Sequence, residues 1–276
     1  MKIAYITLII TLLLAVNLSV YAERHIVVLF TNDAHSRIEP LPDTDRTMPD
    51  RGGVVRRHAF IRQMKSQYPN VLLFDSGDFV QGTPYFNVFG GRVEIEAKNR
   101  MGYTAVTPGN HEFGNGLEGL LMKAQLANFP FIASNYDFSG TILDGYIKPY
   151  IVLEKQGVRI GVISANIELL GLVASANFEG VQVLNPVEMA NKYAELLRSH
   201  YRVDLVICLS HLGYGADLLF IPATRGIDIV LGGHSHRHMD EPEILYNLNG
   251  EPVMLLHTSG RGVNVGRIDV KLERNH

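Results

Sequence analysis

Five apolar segments of the chain each end at a short loop that carries carboxylate, amide or imidazole side chains. The polar residues in these loops are Asp33 and His35, Asp78, Asn110 and His111, His211, and His234 and His236. If the apolar segments are strands of an open α/β sheet, the loops lie at their carboxyl ends, where such sheets bind ligands. The sequence therefore predicts one site to which all five loops contribute.

The side chains of this set, His111 apart, suit a pair of divalent metal ions. Two Asp, one Asn and four His provide oxygen and imidazole donors and no thiolate. This choice favours zinc, manganese or iron and disfavours iron–sulfur clusters. Seven ligands are more than one tetrahedral ion needs, but a carboxylate shared by two ions would give each ion four. Two ions roughly 3.5–4 Å apart can activate a shared water and hold a phosphoryl group, so the pattern favours a phosphoesterase.

Several polar residues near these loops have simpler interpretations. His238 follows the last pair of histidines, and we expect it to lie in a surface loop. His257 lies in an apolar segment and is expected to be a packed core histidine. Arginine suits bidentate contacts with phosphate, although solvated surface charge is the alternative. The arginines beside the predicted loops are Arg37, Arg237 and Arg261.

Short apolar runs alternate with helical patterns along the chain, which predicts an α/β fold. The clearest strand candidates are residues 26–30, 71–74, 105–107, 131–133, 205–209 and 227–231. Residues 150–154 and 159–164 flank Gln156-Gly157 and are predicted to form a hairpin. Residues 253–257 and 265–272 suggest a second antiparallel pair, so the sheets should be mixed.

Two helices are predicted between these strands. Residues 54–68 place apolar side chains on one face at helical spacing. Asn185 and Pro186 begin the second helix, because Asn is a favourable cap, Pro suits the first turn and Glu188 follows three positions after the cap.

The N-terminus predicts a secreted protein. Lys2, an apolar run over residues 3–16 and the small Ala22 follow the order of a secretory signal peptide over residues 1–22. The alternative is an uncleaved anchor, but the run is shorter than the roughly 20 residues of a bilayer span. Residues 23–276 are then expected to form a single catalytic domain.

The rest of the composition limits the partners and the stabilising bonds. Cys208 is the only cysteine, so no intrachain disulfide can form, and its apolar neighbours predict a buried, inert thiol. A net charge of -3 gives no general reason to expect a nucleic-acid polymer as a partner. We also expect no membrane association once the signal peptide is removed.

The five loops together resemble those of the calcineurin-like metallophosphatases. The segments that carry the resemblance are Asn32-Asp33-Ala34-His35, Gly77-Asp78-Phe79-Val80-Gln81-Gly82, Gly109-Asn110-His111-Glu112-Phe113, Ser210-His211-Leu212-Gly213 and Gly233-His234-Ser235-His236. Gln81-Gly82 and Glu112-Phe113 are similar to the 5′-nucleotidase branch. The resemblance implies a sandwich of two mixed β-sheets flanked by helices, with a dinuclear metal site at the carboxyl ends of the strands.

The resemblance also implies a role for each matching residue. One metal ion would be held by Asp33, His35, Asp78 and His236, and the other by Asp78, Asn110, His211 and His234. His111 would stabilise the transferring phosphoryl group and help to protonate the leaving oxygen. The expected enzyme is an exported, periplasmic or extracellular hydrolase that uses a metal-bridging hydroxide to release phosphate from nucleotides or related esters.

The chain departs from the resemblance in two places. Relatives commonly carry Asp three residues after the catalytic His, where this chain has Gly114, so another group would have to orient His111. The C-terminal nucleoside-binding domain of full-length 5′-nucleotidases is not seen before His276, which leaves a separately encoded substrate-binding chain as one possible partner. Two alternative functions stay open: a thiosulfohydrolase-like enzyme that releases sulfate, and a metal-binding subunit that depends on a partner chain.

Overall fold

The computed structural model describes residues 24–272, so the predicted signal peptide over residues 1–22 lies outside the described residues. The strands are β1 (Arg24–Thr31), β2 (Val71–Asp75), β3 (Ala105–Val106), β4 (Phe131–Ile132), β5 (Tyr136–Asp137), β6 (Ile147–Lys148), β7 (Ile151–Lys155), β8 (Val158–Asn166), β9 (Gln182–Val183), β10 (Leu205–His211), β11 (Ile229–Gly232), β12 (Glu243–Tyr246), β13 (Pro252–His257) and β14 (Gly266–Leu272). The α-helices are α1 (Val54–Gln67), α2 (Pro84–Phe89), α3 (Arg92–Met101), α4 (Gly116–Leu126), α5 (Pro186–Ser199) and α6 (Tyr214–Phe220). Short 3-10 turns span His111–Phe113, Ser175–Phe178 and Ile221–Ala223.

The two large sheets are both mixed. The first sheet has the order β14-β1-β2-β3-β4-β6, in which β14 is antiparallel to β1 and the other neighbours are parallel. The second sheet has the order β12-β13-β11-β10-β8-β7, with parallel pairs at its centre and an antiparallel pair at each edge. Strands β5 and β9 form a small antiparallel pair.

The sheets pack face to face, with helices on their outer faces. Along β1, Ile26, Val28 and Phe30 enter the core between the sheets, while Val27 and Leu29 pack beneath the helices of the first sheet. Helix α5 covers the other side of the second sheet through a core cluster that includes Ala190, Ala194 and Leu197. Central strands are thus buried on both faces, which explains their nearly continuous apolar sequence.

The predicted sandwich of two mixed sheets flanked by helices is confirmed. Both predicted helices form, and the side chain of Asn185 accepts hydrogen bonds from the backbone N–H groups of Val187 and Glu188 at the start of α5. The predicted hairpin is β7 and β8. Cys208 is buried, and burial raises the pKa of its thiol well above the usual value, as the sequence predicted. Within residues 24–272, no helix has the length and apolar character needed to cross a membrane.

The predicted antiparallel pairing of the last two strands is wrong. Strand β13 lies in the second sheet between β11 and β12, whereas β14 lies in the first sheet and pairs with β1. The chain between them therefore crosses from one sheet to the other. Without β14, the outer edge of β1 would have unpaired backbone groups. Pairing of that edge decides where β14 lies, rather than the closeness of β13 and β14 along the sequence.

Candidate metal centre

The loops that carry the predicted ligands gather at one edge of both sheets. Strands β1, β2 and β3 run parallel in the first sheet, and β10 and β11 run parallel in the second. Their carboxyl ends therefore face the same end of the sandwich, as expected for an α/β ligand site. The first sheet contributes the loops after Thr31, Asp75 and Val106, and the second contributes His211 and the loop after Gly232.

The backbone of these loops adopts a conformation that few side chains favour. Asp33, His35, Asp78, His234 and His236 all have positive φ angles, between 48 and 68°. A positive φ is uncommon for residues other than glycine, and such strain is found most often at functional sites. The tight turns direct these side chains toward one another.

One cluster combines Asp33, His35 and His236. The Nε2 atoms of the two histidines lie 2.9 Å apart, and Nε2 of His236 lies 3.4 Å from Oδ1 of Asp33. The Asp33 side chain is fully buried, whereas His236 is exposed at the surface. Since one donor atom from each residue lies within 4.8 Å of the others, the three can hold a metal ion.

The other cluster combines Asp78, His211 and His234, again with donor atoms within 4.8 Å of one another. Nε2 of His211 lies 3.1 Å from Oδ2 of Asp78, and both side chains are buried. Nδ1 of His211 donates to the carbonyl oxygen of Ser76 at 2.6 Å. This bond holds the imidazole in the tautomer that leaves Nε2 free to bind a metal.

His111 lies beside the second cluster and directly follows Asn110 in the chain. The backbone N–H of His111 donates to Oδ1 of Asp78 at 2.9 Å. Nε2 of the His111 ring is 3.9 Å from Oδ2 of Asp78. The His111 ring also meets the ring of His35 edge to face, with the centroids 5.1 Å apart. His111 therefore contacts both clusters, and its side chain remains 36% exposed for a substrate to reach.

Close packing of glycines allows the two clusters to adjoin. A Cβ atom at Gly233 would lie 2.9 Å from Nδ1 of His211 and 3.3 Å from Oδ2 of Asp33. A side chain at Gly109 would collide with the Asp78 carboxylate and the His211 ring. Glycine is required at both positions because the loops leave no room for a side chain.

Two buried polar atoms indicate that the centre is built for cations. Among the described residues, Oδ1 of Asn110 and Nδ1 of His234 are buried and have no hydrogen-bond partner. Buried polar groups are normally satisfied. Oxygen and imidazole donors suit zinc, manganese or iron. The donor set and the unsatisfied atoms thus fit divalent metal ions.

The electrostatics of the protein without metal ions lead to the same conclusion. Burial lowers the pKa of His211, but the charge of Asp78 outweighs it and raises this pKa to about 10. The pKa of Asp78 is held below its usual value although burial opposes this, because His211 and His111 stabilise the carboxylate. In the metal-free protein, the positive charge of protonated His211 therefore stabilises the Asp78 carboxylate, as the charge of a bound metal ion would.

Glu112 is a site residue whose role the sequence did not predict. Its buried carboxylate accepts backbone N–H bonds from Asp78, Phe79, Val80 and Gly109, at 2.6 to 3.2 Å. Burial and the nearby charge of Asp78 raise its pKa to about 7. Glu112 joins the loop after β2 to the loop after β3, and its only sequence signal was the resemblance carried by Glu112-Phe113.

The other polar residues that the sequence singled out lie outside the two clusters. His238 is exposed and contacts Asp240 at 3.1 Å, and His257 is fully buried with Nε2 2.9 Å from Asp217, so both simpler interpretations are confirmed. Arg261 does not extend into solvent. Its guanidinium donates to Asp45 and Thr47, each at 2.8 Å, and so attaches residues 41–51 to the loop beside His236.

Known proteins resemble this chain over most of its described length. A 5′-nucleotidase from the venom of Gloydius brevicauda is 32% identical over 250 residues, which cover 87% of this chain and 42% of that protein. The structure of Haemophilus influenzae NAD nucleotidase matches with a TM-score of 0.83 and 27% identity, over 91% of this chain and 54% of that one. A 5′-nucleotidase precursor from Thermus thermophilus matches with a TM-score of 0.82 and 30% identity, over 91% and 52%.

The chain spans about half the length of these relatives. The family model described as calcineurin-like phosphoesterase matches residues 26–238, which contain all the predicted ligands. The family and the class of phosphoric ester hydrolase that the sequence predicted are thereby confirmed, and the chain belongs to the calcineurin-like phosphoesterases.

Proposed function

We propose that this chain is an exported, dinuclear metal-dependent hydrolase that releases phosphate from nucleoside 5′-phosphates or related phosphate esters. The main support is the pair of carboxylate–histidine clusters, with His111 in contact with both. The 5′-nucleotidase relatives support a nucleotide as the substrate. The order of residues 1–22 and the relative from snake venom support a periplasmic or extracellular location.

The proposed ligand sets share Asp78. Asp33, His35, Asp78 and His236 would hold one ion, and Asp78, Asn110, His211 and His234 the other. Bound divalent ions would neutralise phosphate charge and lower the pKa of a water molecule. The oxygen of that water, which loses a proton, would form a bond to phosphorus as the bond from phosphorus to the leaving oxygen breaks. Nε2 of His111 would give a proton to the leaving oxygen, so the products are phosphate and an alcohol.

The test compares metal-free and metal-loaded protein. We expect metal-free protein to be inactive, and Mn²⁺ or Zn²⁺ to restore phosphate release from adenosine monophosphate or nitrophenyl phosphate, or opening of the ring of a cyclic nucleotide to a nucleoside monophosphate. Elemental analysis should find close to two ions per chain. Asp78→Ala should remove activity and lower the metal content, because it takes a ligand from both ions.

His238→Ala is the matched control, since this exposed histidine lies two residues from His236 but outside both clusters. It should keep wild-type turnover. Full activity without metal, or unchanged metal content in Asp78→Ala, would contradict the proposal. Release of sulfate from a thiosulfate ester without release of phosphate from any ester would identify a sulfur substrate instead.

A further inference from the structure

The two ring nitrogens of His111 face different surroundings. Nε2 lies on the side of the metal clusters, 3.9 Å from Oδ2 of Asp78. Nδ1 contacts Oε1 of the Gln81 side chain. A carboxamide oxygen only accepts hydrogen bonds, so Nδ1 must carry the proton in this contact. The ring is thus held with Nε2 on the side of the clusters.

The backbone holds Gln81 at this position. Its φ angle is 66°, in the left-handed region that side chains rarely adopt. The residue before it, Val80, donates its backbone N–H to the buried Glu112 carboxylate at 3.2 Å. The residue after it, Gly82, packs so closely on His35 that a Cβ atom there would lie 3.2 Å from the His35 carbonyl oxygen. Both flanking residues are thus fixed by residues of the site.

Gly114 provides the space for the Gln81 side chain. A Cβ atom at this position would lie 3.3 Å from Oε1 of Gln81 and 3.3 Å from Cζ of Phe86. The backbone itself does not require glycine, because φ is -56° and ψ is -29°, which any residue can adopt. A side chain at Gly114 would crowd the Gln81 carboxamide, and it would also lie 3.1 Å from the His111 carbonyl oxygen.

We propose that Gln81 is the positioning residue of His111. Its carboxamide oxygen accepts a hydrogen bond from Nδ1, which holds the imidazole in the tautomer protonated on Nδ1 and leaves Nε2 facing the metal clusters. This inference rests on the proposed function, because it assigns Gln81 a role in that reaction. Gln81 would take the place of the orienting Asp that relatives commonly carry where this chain has Gly114. Replacement of such a hydrogen-bond partner commonly changes the activity, although the partner itself does not touch the substrate.

The first experiment measures turnover and KM of the metal-loaded variants. Gln81→Leu removes the acceptor at similar size, and we expect kcat to fall roughly ten- to hundredfold, with KM and metal content nearly unchanged. The loss should be greater for an alkyl phosphate than for nitrophenyl phosphate, whose leaving group needs little protonation. Gln63→Leu is the matched control, because Gln63 is an exposed glutamine on α1.

Two variants test whether an acceptor beside Nδ1 is what matters. Gln81→Glu keeps an oxygen at the same place and should retain most of the turnover. Gly114→Asp introduced into Gln81→Ala should recover turnover that Gln81→Ala alone loses, since the new carboxylate would occupy the vacated space. The inference is overturned if neither variant has a higher turnover than Gln81→Leu, or if all of them lose metal. Gln81 would then serve the folding of the loop.

Nuclear magnetic resonance can determine the tautomer of His111 without a catalysed reaction. In zinc-loaded protein with ¹⁵N-labelled histidine, the His111 signal, identified with His111→Ala, should show a protonated Nδ1, and Gln81→Leu should shift it toward a mixture of tautomers. A tautomer that is unchanged in Gln81→Leu, or wild-type kcat in that variant, would overturn the inference. Absence of hydrolysis by wild-type protein would instead contradict the proposed function. The ¹⁵N chemical shifts of His111 would still test its contact with Gln81.

Discussion

At the residue scale, His111 differs in its exposure from Asp78 and His211, the two buried residues of the second cluster. Asp78 and His211 are buried, whereas the side chain of His111 is 36% exposed and offers Nε2 toward the clusters. A proton donor has to reach the substrate, while a ligand gains from exclusion of water. The exposure of His111 therefore permits the proton donation that we propose for it.

His111→Ala should separate these two roles. We expect this variant to keep its metal content and to lose a factor of roughly 10²–10⁴ in kcat, the usual contribution of a general acid. The loss should be smaller for nitrophenyl phosphate than for an alkyl phosphate. Parallel measurements on His200→Ala, a change at an exposed histidine that ends α5 and lies outside both clusters, provide the control. An equal loss for good and poor leaving groups would indicate stabilisation of phosphoryl charge instead of proton donation.

At the scale of elements, the loops after β2 and β3 are joined through a single carboxylate. Oε1 of Glu112 accepts from Phe79 and Val80, and Oε2 accepts from Asp78 and Gly109. Each oxygen thus satisfies two backbone donors. The position of Asp78, the proposed shared ligand, depends on this buried group.

Glu112→Gln should disturb that junction although the side chain keeps its shape. Its NH₂ group cannot accept hydrogen bonds, so two buried backbone donors lose their partner. We expect the free energy of unfolding to fall by about 2–4 kcal/mol, since an unsatisfied buried donor costs about 1–3 kcal/mol. Urea unfolding of metal-free protein measures this. Glu96→Gln, an exposed carboxylate on α3, is the control. Equal stability of the two variants would show that Glu112 does not join the loops.

Residues 41–51 are attached to the site through Arg261. The backbone N–H of Arg261 donates to the carbonyl oxygen of Asp33 at 2.6 Å, while its guanidinium holds Asp45 and Thr47. One residue therefore connects the first cluster to a long surface loop. The contact with phosphate that the sequence suggested for Arg261 stays a prediction.

Arg261→Ala should release this loop and leave both metal clusters intact. Arg46 and Arg51 are exposed within it, so trypsin should cut the variant there faster than wild type. Arg225→Ala, at an exposed position away from the loop, should show the wild-type rate. Mass spectrometry of the fragments identifies the cut. Equal cleavage of the two variants would mean that other contacts hold residues 41–51.

At the scale of the whole molecule, the proposed ligands come from both sheets. Asp33, His35, Asp78 and Asn110 follow strands of the first sheet, and His211, His234 and His236 belong to the second. Ions bound between them would connect the two halves of the sandwich. Such binding stabilises the folded state by about 4 kcal/mol at a thousandfold excess over Kd, provided that the unfolded chain does not bind.

The pH dependence of stability should differ between the two forms of the protein. The pKa of His211 is about 10 in the folded metal-free protein, against an ordinary value of 6.5. Its stabilising proton is therefore fully present below pH 6.5 and is lost as the pH rises toward 10. Glu112, with a pKa raised from 4.5 to about 7, acts in the same direction at lower pH, because unfolding then releases a proton.

Metal ions bound as proposed would replace the His211 proton, so the loaded protein should not show the loss between pH 6.5 and 10. We expect the Tm of metal-free protein to fall across this range and that of zinc-loaded protein to stay more nearly level. Thermal unfolding at several pH values, with a chelator or with zinc, measures both. Parallel curves for the two forms would show that the proton on His211 and the metal do not compete.

The amino-acid sequence by itself determined most of the strands, the helix that begins at Asn185 and the set of polar residues at the strand ends. Strands that are buried on both faces need continuous apolar runs, and those runs are visible without knowledge of their partners. The loops that follow them could be recognised for the same reason. Their resemblance to one family then indicated the arrangement of the sheets.

Only the tertiary structure decided which sheet β14 joins, which group faces Nδ1 of His111 and what fixes the loop of Asp78. Strand β14 follows β13 along the chain but pairs with β1. Gln81 and His111 are 30 positions apart, and the Glu112 carboxylate reaches back to Asp78 over a similar separation. Side chains this distant in sequence meet because sheet packing brings their loops together, and no local pattern encodes the directions in which they then point.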